Sequence, residues 1–152
     1  MKTNYKEGTV FAIKLKPKVF VVGVVARVSK PSYLILGYFF NKTYSALPTM
    51  EDVGDLEPKK AIKVIRVSDL GIIEKKWPII GEITKWSRKN WPMPDVYRIN
   101  ILMPEKSWRI RYSEDNIVEQ IGEWREPNTA NLERDGSDSA AGFLDELKEL
   151  IL

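Results

Sequence analysis

The chain contains no histidine and no cysteine. The first absence removes the commonest general base at neutral pH and the usual imidazole metal ligand. The second removes the thiolate nucleophile, the sulfur ligands of zinc sites and any disulfide. Long apolar runs are missing as well: the longest, residues 19–26, has strand length, against the roughly 18 residues that span a bilayer. The opening residues Met1-Lys2-Thr3-Asn4-Tyr5-Lys6-Glu7-Gly8 hold no hydrophobic signal region, so the expected location is the cytoplasm and no membrane contact is expected. Neither a Gly-rich phosphate loop nor a nucleophile elbow is present. Paired carboxylates occur at Glu51-Asp52 and Glu114-Asp115, but neighbours in sequence need not converge on one site. The expectation is a protein that is not an enzyme and carries no metal and no cofactor.

What is present suits one folded domain. The chain has 152 residues, 43% hydrophobic and 30% charged, enough to bury a core without cross-links. The net charge of +3 hides an asymmetry. Residues 1–112 carry 21 Lys and Arg against 10 Asp and Glu, a net of +11, whereas residues 113–152 carry 3 against 11, a net of −8. A basic body with an acidic end is compatible with three arrangements: nucleic-acid contact by the body, a tail folded back on the body, or a tail that imitates nucleic acid toward a basic partner.

Hydropathy alternates with a period of two in the first third of the chain. Phe11, Ile13 and Leu15 share one face of a strand over residues 9–15. Pro17 breaks it between Lys16 and Lys18. Residues 19–28 are apolar on both faces, the mark of a central strand, and residues 33–40 give a third; Gly23 and Gly37 inside them predict bulges or bends. Residues 41–60 read as a long connection. Residues 62–67, 71–73 and 79–83 read as strands, residues 86–94 as loop and residues 116–121 as a last strand. A turn at Met103-Pro104-Glu105-Lys106 predicts a hairpin with Met103 opposite Trp108, Ile101 opposite Ile110 and Ile99 opposite Tyr112. That register puts Arg98, Arg109 and Arg111 on one outer face. The fold class expected is mainly β: a strongly curved antiparallel sheet or partly open β-barrel with a C-terminal α-helix. The body spans residues 1–123, a polar linker or mobile loop residues 124–139, and an amphipathic helix residues 140–152. Phe143, Leu147, Leu150 and Ile151 form the helix's apolar face, which docks on the body.

Aromatic and arginine residues dominate binding surfaces, so Trp86, Arg88, Trp91, Arg98, Arg109 and Arg111 are the exposed candidates for partner contact. With Lys85 and Lys89 they also match a nucleic-acid platform, although the aromatic-glycine pattern of RNA-binding sheets is missing.

Four segments in order carry a family resemblance. They are Gly8-Thr9-Val10-Phe11-Ala12-Ile13-Lys14-Leu15, then Phe20-Val21-Val22-Gly23-Val24-Val25-Ala26-Arg27, then Ile35-Leu36-Gly37-Tyr38-Phe39-Phe40. Trp77-Pro78-Ile79-Ile80-Gly81 follows, then a loop with Pro92 and Pro94 and a strand with Tyr97-Arg98. The set resembles the immunity protein 26 family of bacterial polymorphic-toxin systems over residues 7–112. The resemblance implies a cytoplasmic protein that binds and neutralises a cognate toxin domain by protein–protein contact, without an active site. It implies fold-determining roles for Phe11, Gly23, Trp77, Pro78 and Gly81. The acidic residues Glu119, Glu123, Glu126, Glu133, Asp135 and Asp138 are candidates for steering a basic toxin. The alternative reading is a nucleic-acid-binding β-barrel module.

Overall fold

A computed structural model describes residues 5–99, 102–103 and 107–152. Among the described residues ten strands form two mixed sheets, neither closed into a barrel, and a helix follows the last strand. The first sheet holds β1 (Thr9–Lys16), β2 (Val19–Ser29), β3 (Leu34–Phe39), β4 (Lys63–Ser68), β5 (Ile79–Glu82) and β10 (Ser137–Asp138), in the order β10-β4-β3-β2-β1-β5. The second holds β6 (Val96–Arg98), β7 (Trp108–Tyr112), β8 (Gln120–Arg125) and β9 (Glu133–Arg134), in the order β8-β7-β6-β9. Pairing is antiparallel except where β10 joins β4 and β9 joins β6. Helices α1 (Met50–Val53) and α2 (Leu70–Ile73) are single turns, and α3 spans Ala140–Ile151.

β2 is buried on both faces because the first sheet is covered twice. On one side Phe11, Ile13, Val25 and Phe39 pack with Trp77, Phe143 and Leu147. On the other, Val10, Val22, Val24 and Leu36 pack with Trp91, Met93 and Ile117. The Phe11 ring stacks on Trp77, with centroids 5.6 Å apart, and meets Phe39 edge-on at 5.8 Å. Pro78 places its carbonyl to accept from the Ala12 amide at 2.9 Å. Gly23 sits in unbroken ladders opposite Phe11 and Phe39, so there is no bulge there; the bulge falls between Val25 and Arg27. The reason for glycine is space. A Cβ at Gly23 would lie 2.6 Å from the Phe11 ring, and one at Gly81 would run into Met50. Neither needs a left-handed backbone.

The segment expected as a strand at residues 71–73 is the helical turn α2. Its Gly71 has no room for a side chain against the Trp77 ring, and the turn closes on the Asp69 carbonyl. Residues 116–119 form a turn that drives Ile117 into the core, and the strand begins only at Gln120.

The hairpin register also differs. Arg98 lies opposite Trp108, Tyr97 opposite Arg109 and Val96 opposite Ile110. This alignment pairs two buried residues, Val96 and Ile110, and leaves Ile99 and Met103 40% and 44% exposed. Arg98 therefore faces the same way as Ile110, opposite to Arg109 and Arg111, and the single arginine face does not form. Asn100, Ile101, Pro104, Glu105 and Lys106 of the expected hairpin lie outside the described residues.

Residues 124–139 are not a free linker: they carry the end of β8 and the strands β9 and β10, each paired with a strand of the body. The Ser139 side chain accepts from the Gly142 amide and caps α3. The helix buries Phe143 and Leu147, while Leu150, expected on the same face, is 55% exposed.

Candidate partner-binding surface

Five of the six residues expected to meet a partner are exposed or half-buried, and the guanidinium groups of the four arginines among them are already engaged. Arg88 donates to Glu7 at 3.1 Å, Asp115 at 2.6 Å and the Glu114 carbonyl at 2.6 Å. Arg98 donates to Asp135 at 2.6 Å. Arg109 and Arg111 share Asp95, at 2.7 and 2.9 Å, and both lie over the Trp124 ring. The hydrogen bond from Arg111, with that from Arg109, holds the Asp95 carboxyl below the usual range against the cost of its burial. Trp91 is the exception to exposure. It is 4% exposed, packed edge-on against Tyr38 at 5.0 Å and stacked on Trp86 at 5.5 Å, so it is core. Trp86 covers Gly8 and keeps its indole N–H buried without an acceptor.

The acidic segment supplies much of this neutralisation. Buried Arg66 donates to Asp135 at 2.9 Å, and the Tyr112 hydroxyl donates to the same carboxylate at 2.8 Å. Lys63 bridges Glu133 at 2.9 Å and Glu146 at 2.5 Å. Arg27, 2% exposed, pairs with Glu114 at 3.0 Å. Of the three arrangements open to a basic body with an acidic end, the fold adopts the tail folded back. Glu123 and Glu126 lie 4.0 and 3.9 Å from Arg98 and Arg109. The expected steering charges are thus largely spent inside the molecule. The paired carboxylates do not converge either: Asp52 caps α1 with Thr49, and Glu114 and Asp115 face Arg27 and Arg88.

Asp138 has a measurable consequence. Burial pushes its carboxyl up to about 6, and the neighbouring Glu146 adds to the shift while Lys63 opposes it. A carboxyl raised in the folded state holds its proton where the unfolded chain has lost it. Its contribution to stability therefore falls as pH rises from about 4 through 6. Asp138→Asn is expected to leave the thermal melt unchanged at pH 4 and to stabilise the fold at pH 8, by about 1 kcal/mol after solvent screening.

The lysines at one end of the first sheet are in a different state. Lys14 stands opposite Phe20 on β2, and Phe20 bridges to Tyr44 through two backbone hydrogen bonds of 2.8 and 2.9 Å. Directly opposite residues share a face, so Lys14, Phe20 and Tyr44 lie side by side. Lys14 lies 6.0 Å from the Phe20 ring centroid, and Lys42 lies 5.4 Å from that of Tyr44. Lys16 and Lys18 flank Pro17 in the adjoining turn, with Lys18 in the left-handed region at φ 63°. All four lysines are exposed and, among the described residues, none has a carboxylate within ion-pair distance. Exposed Leu47 follows in the same loop, and Asp52 lies close to Tyr44. This basic-aromatic corner is the surface the sequence reading missed. Its signal, Lys14-Leu15-Lys16-Pro17-Lys18, was present but was absorbed by the strand and its break.

Among the described residues no cluster of three or more carboxylates could hold a metal, and no helix is long and apolar enough to cross a membrane. The family model of immunity protein 26 matches residues 6–108. The chain belongs to the immunity protein 26 family. No curated protein and no solved structure matches it. The family match takes in β1 to β6 and the whole basic corner, and it stops at the start of β7. Strands β8, β9 and β10 and the helix α3 lie beyond it.

Proposed function

We propose that this immunity-family chain binds a cognate toxin domain in the cytoplasm and blocks it by contact, without catalysis, as part of a polymorphic-toxin or contact-dependent inhibition system. Lys14, Lys16, Lys18 and Lys42 meet an acidic face of that domain, with Phe20 and Tyr44 beneath them. The observation that carries the site is the contrast in charge: Arg27, Arg66, Arg88, Arg98, Arg109 and Arg111 are neutralised internally, whereas these four cations lie together and, among the described residues, have no carboxylate within ion-pair distance. An unneutralised patch speeds encounter with an opposite charge and fixes orientation. Arg98 and Arg111, 48% and 53% exposed along their side chains, can add rim contacts to a partner that extends to the second sheet. A specific interface needs about 1,600 Å² in total, so the corner supplies one part of it.

The same four cations are compatible with phosphates, which keeps a nucleic-acid module as the second reading. The test is co-expression with the toxin domain encoded beside this gene. Restored growth and a stable co-purified complex are expected. No rescue and no complex, with nucleic acid bound instead at an affinity falling steeply with salt, would replace this reading with the second.

A further inference from the structure

We infer that two copies of this chain pair edge to edge through β8, in one register set by charge. The inference goes beyond toxin binding and does not depend on it. Among the described residues β8 pairs with β7 alone, and its other edge ends the second sheet. Its residues are exposed except for half-buried Gly122, and they include Ile121 at 58% and Trp124 at 37%.

The ladder decides which backbone groups face outward. The Glu126 amide donates to the Ser107 carbonyl at 2.9 Å, which makes that pair a hydrogen-bonded one. Alternation then makes Arg109–Trp124 and Arg111–Gly122 hydrogen-bonded pairs as well. The N–H and C=O groups of Glu123 and Arg125 are left pointing to the free edge, where no described backbone group meets them.

An antiparallel copy must match outward residues with outward residues, so only alternate registers are allowed. One places Glu123 opposite Glu123, and another places Arg125 opposite Arg125. Both set like charges face to face. The register between them places Glu123 opposite Arg125 twice, by symmetry, and Trp124 opposite Trp124. Glu123 and Arg125 share the face of Ile110 and Trp108, so the opposite charges meet on one side. The two Trp124 rings meet on the other, each already backed by Arg109 and Arg111 of its own chain. An edge is protected by charges that repel a second copy, by a proline or by a bulge, and the bulge of β8 falls at Ile121, before the residues that would pair. This edge alternates sign, and its proline, Pro127, comes only after the strand has ended. The result is an isologous two-fold contact that joins the two four-stranded sheets. It is small, so the dimer dissociates on dilution.

Sedimentation equilibrium of the full chain, from about 1 to about 500 µM, reads the association. Wild type is expected to pass from monomer to dimer. Glu123→Arg alone and Arg125→Glu alone are each expected to weaken the dimer at least about tenfold, because each sets like charges opposite. An equimolar mixture of the two variants restores it, since every cross-strand pair is then opposite in sign. The double variant E123R/R125E restores it within one chain. Circular dichroism confirms that each variant is folded. The inference is overturned if wild type stays monomeric over the whole range. It is equally overturned if the single variants associate like wild type, or if the folded variants mixed together do not associate.

Discussion

Asp135→Asn is expected to lower the unfolding free energy by about 3 kcal/mol at pH 7, because it strands a buried cation. Asp135 accepts from Arg66, Arg98 and the Tyr112 hydroxyl, and Arg66 is only 7% exposed. The Arg66 guanidinium keeps the Ile117 carbonyl at 2.9 Å and the Tyr112 ring at 4.2 Å, but neither carries a negative charge. The same carboxylate gives a pH dependence. Burial alone would raise Asp135, but hydrogen bonds from Arg98 and Tyr112 and the charges of Arg66 and Arg98 outweigh it and hold the group below the usual range. A carboxyl depressed in the folded state stabilises fully above its unfolded value, near 4, and loses that contribution as pH falls through its folded value. Urea unfolding at pH 7 and at pH 3 reads both effects. The variant should lie well below wild type at pH 7, and the gap should narrow at pH 3. Equal midpoints at pH 7 would mean that the contact carries no stability.

Phe143→Ala is expected to cost about 3 to 5 kcal/mol, the range for removing a buried aromatic ring. Phe143 is fully buried, its ring 4.2 Å from that of Phe39 and 6.4 Å from that of Trp77. Both contacts reach into residues matched by the family model, whereas α3 lies beyond them. The loss therefore measures how far the terminal helix is built into the core. Leu150→Ala, at an exposed position of the same helix, should change stability by less than about 0.5 kcal/mol. A Phe143→Ala melt as mild as that of Leu150→Ala would show the helix to be a separable appendage.

These two sites also show where the sequence could be read and where it could not. β1 and β2 were legible as strands because their pattern is local, although β1, which alternation reads as half-covered, is buried on both faces from Thr9 to Ile13 and exposes only Lys14 and Lys16. The terminal helix was legible from Phe143 and Leu147 for the same reason. The segment before it was not. Its order comes from Asp135 meeting Arg66, 69 residues away, and from Glu133 meeting Lys63, and no local pattern records such pairs. The hairpin register failed for a related reason. Val96 and Ile99 are equally good apolar partners for β7, and only the core decides between them. Trp91 read as exposed because indole chemistry is the same in a binding site and under a sheet. The basic corner was visible as residues but not as a site. It stands out only once Arg88, Arg98, Arg109 and Arg111, the arginines expected at the interface, are found to be paired.

The most direct measurement compares wild type with the charge-reversed variant K14E/K16E/K18E/K42E against the co-encoded toxin domain. Growth rescue and the association rate at several ionic strengths are read together. Wild type is expected to rescue, with an association rate that falls as salt rises. The variant, folded by circular dichroism, is expected to lose rescue and associate about 10 to 100 times more slowly at low salt, with a rate that rises rather than falls as salt screens the new repulsion. A folded variant that rescues and associates like wild type would contradict the placement of the toxin on this corner.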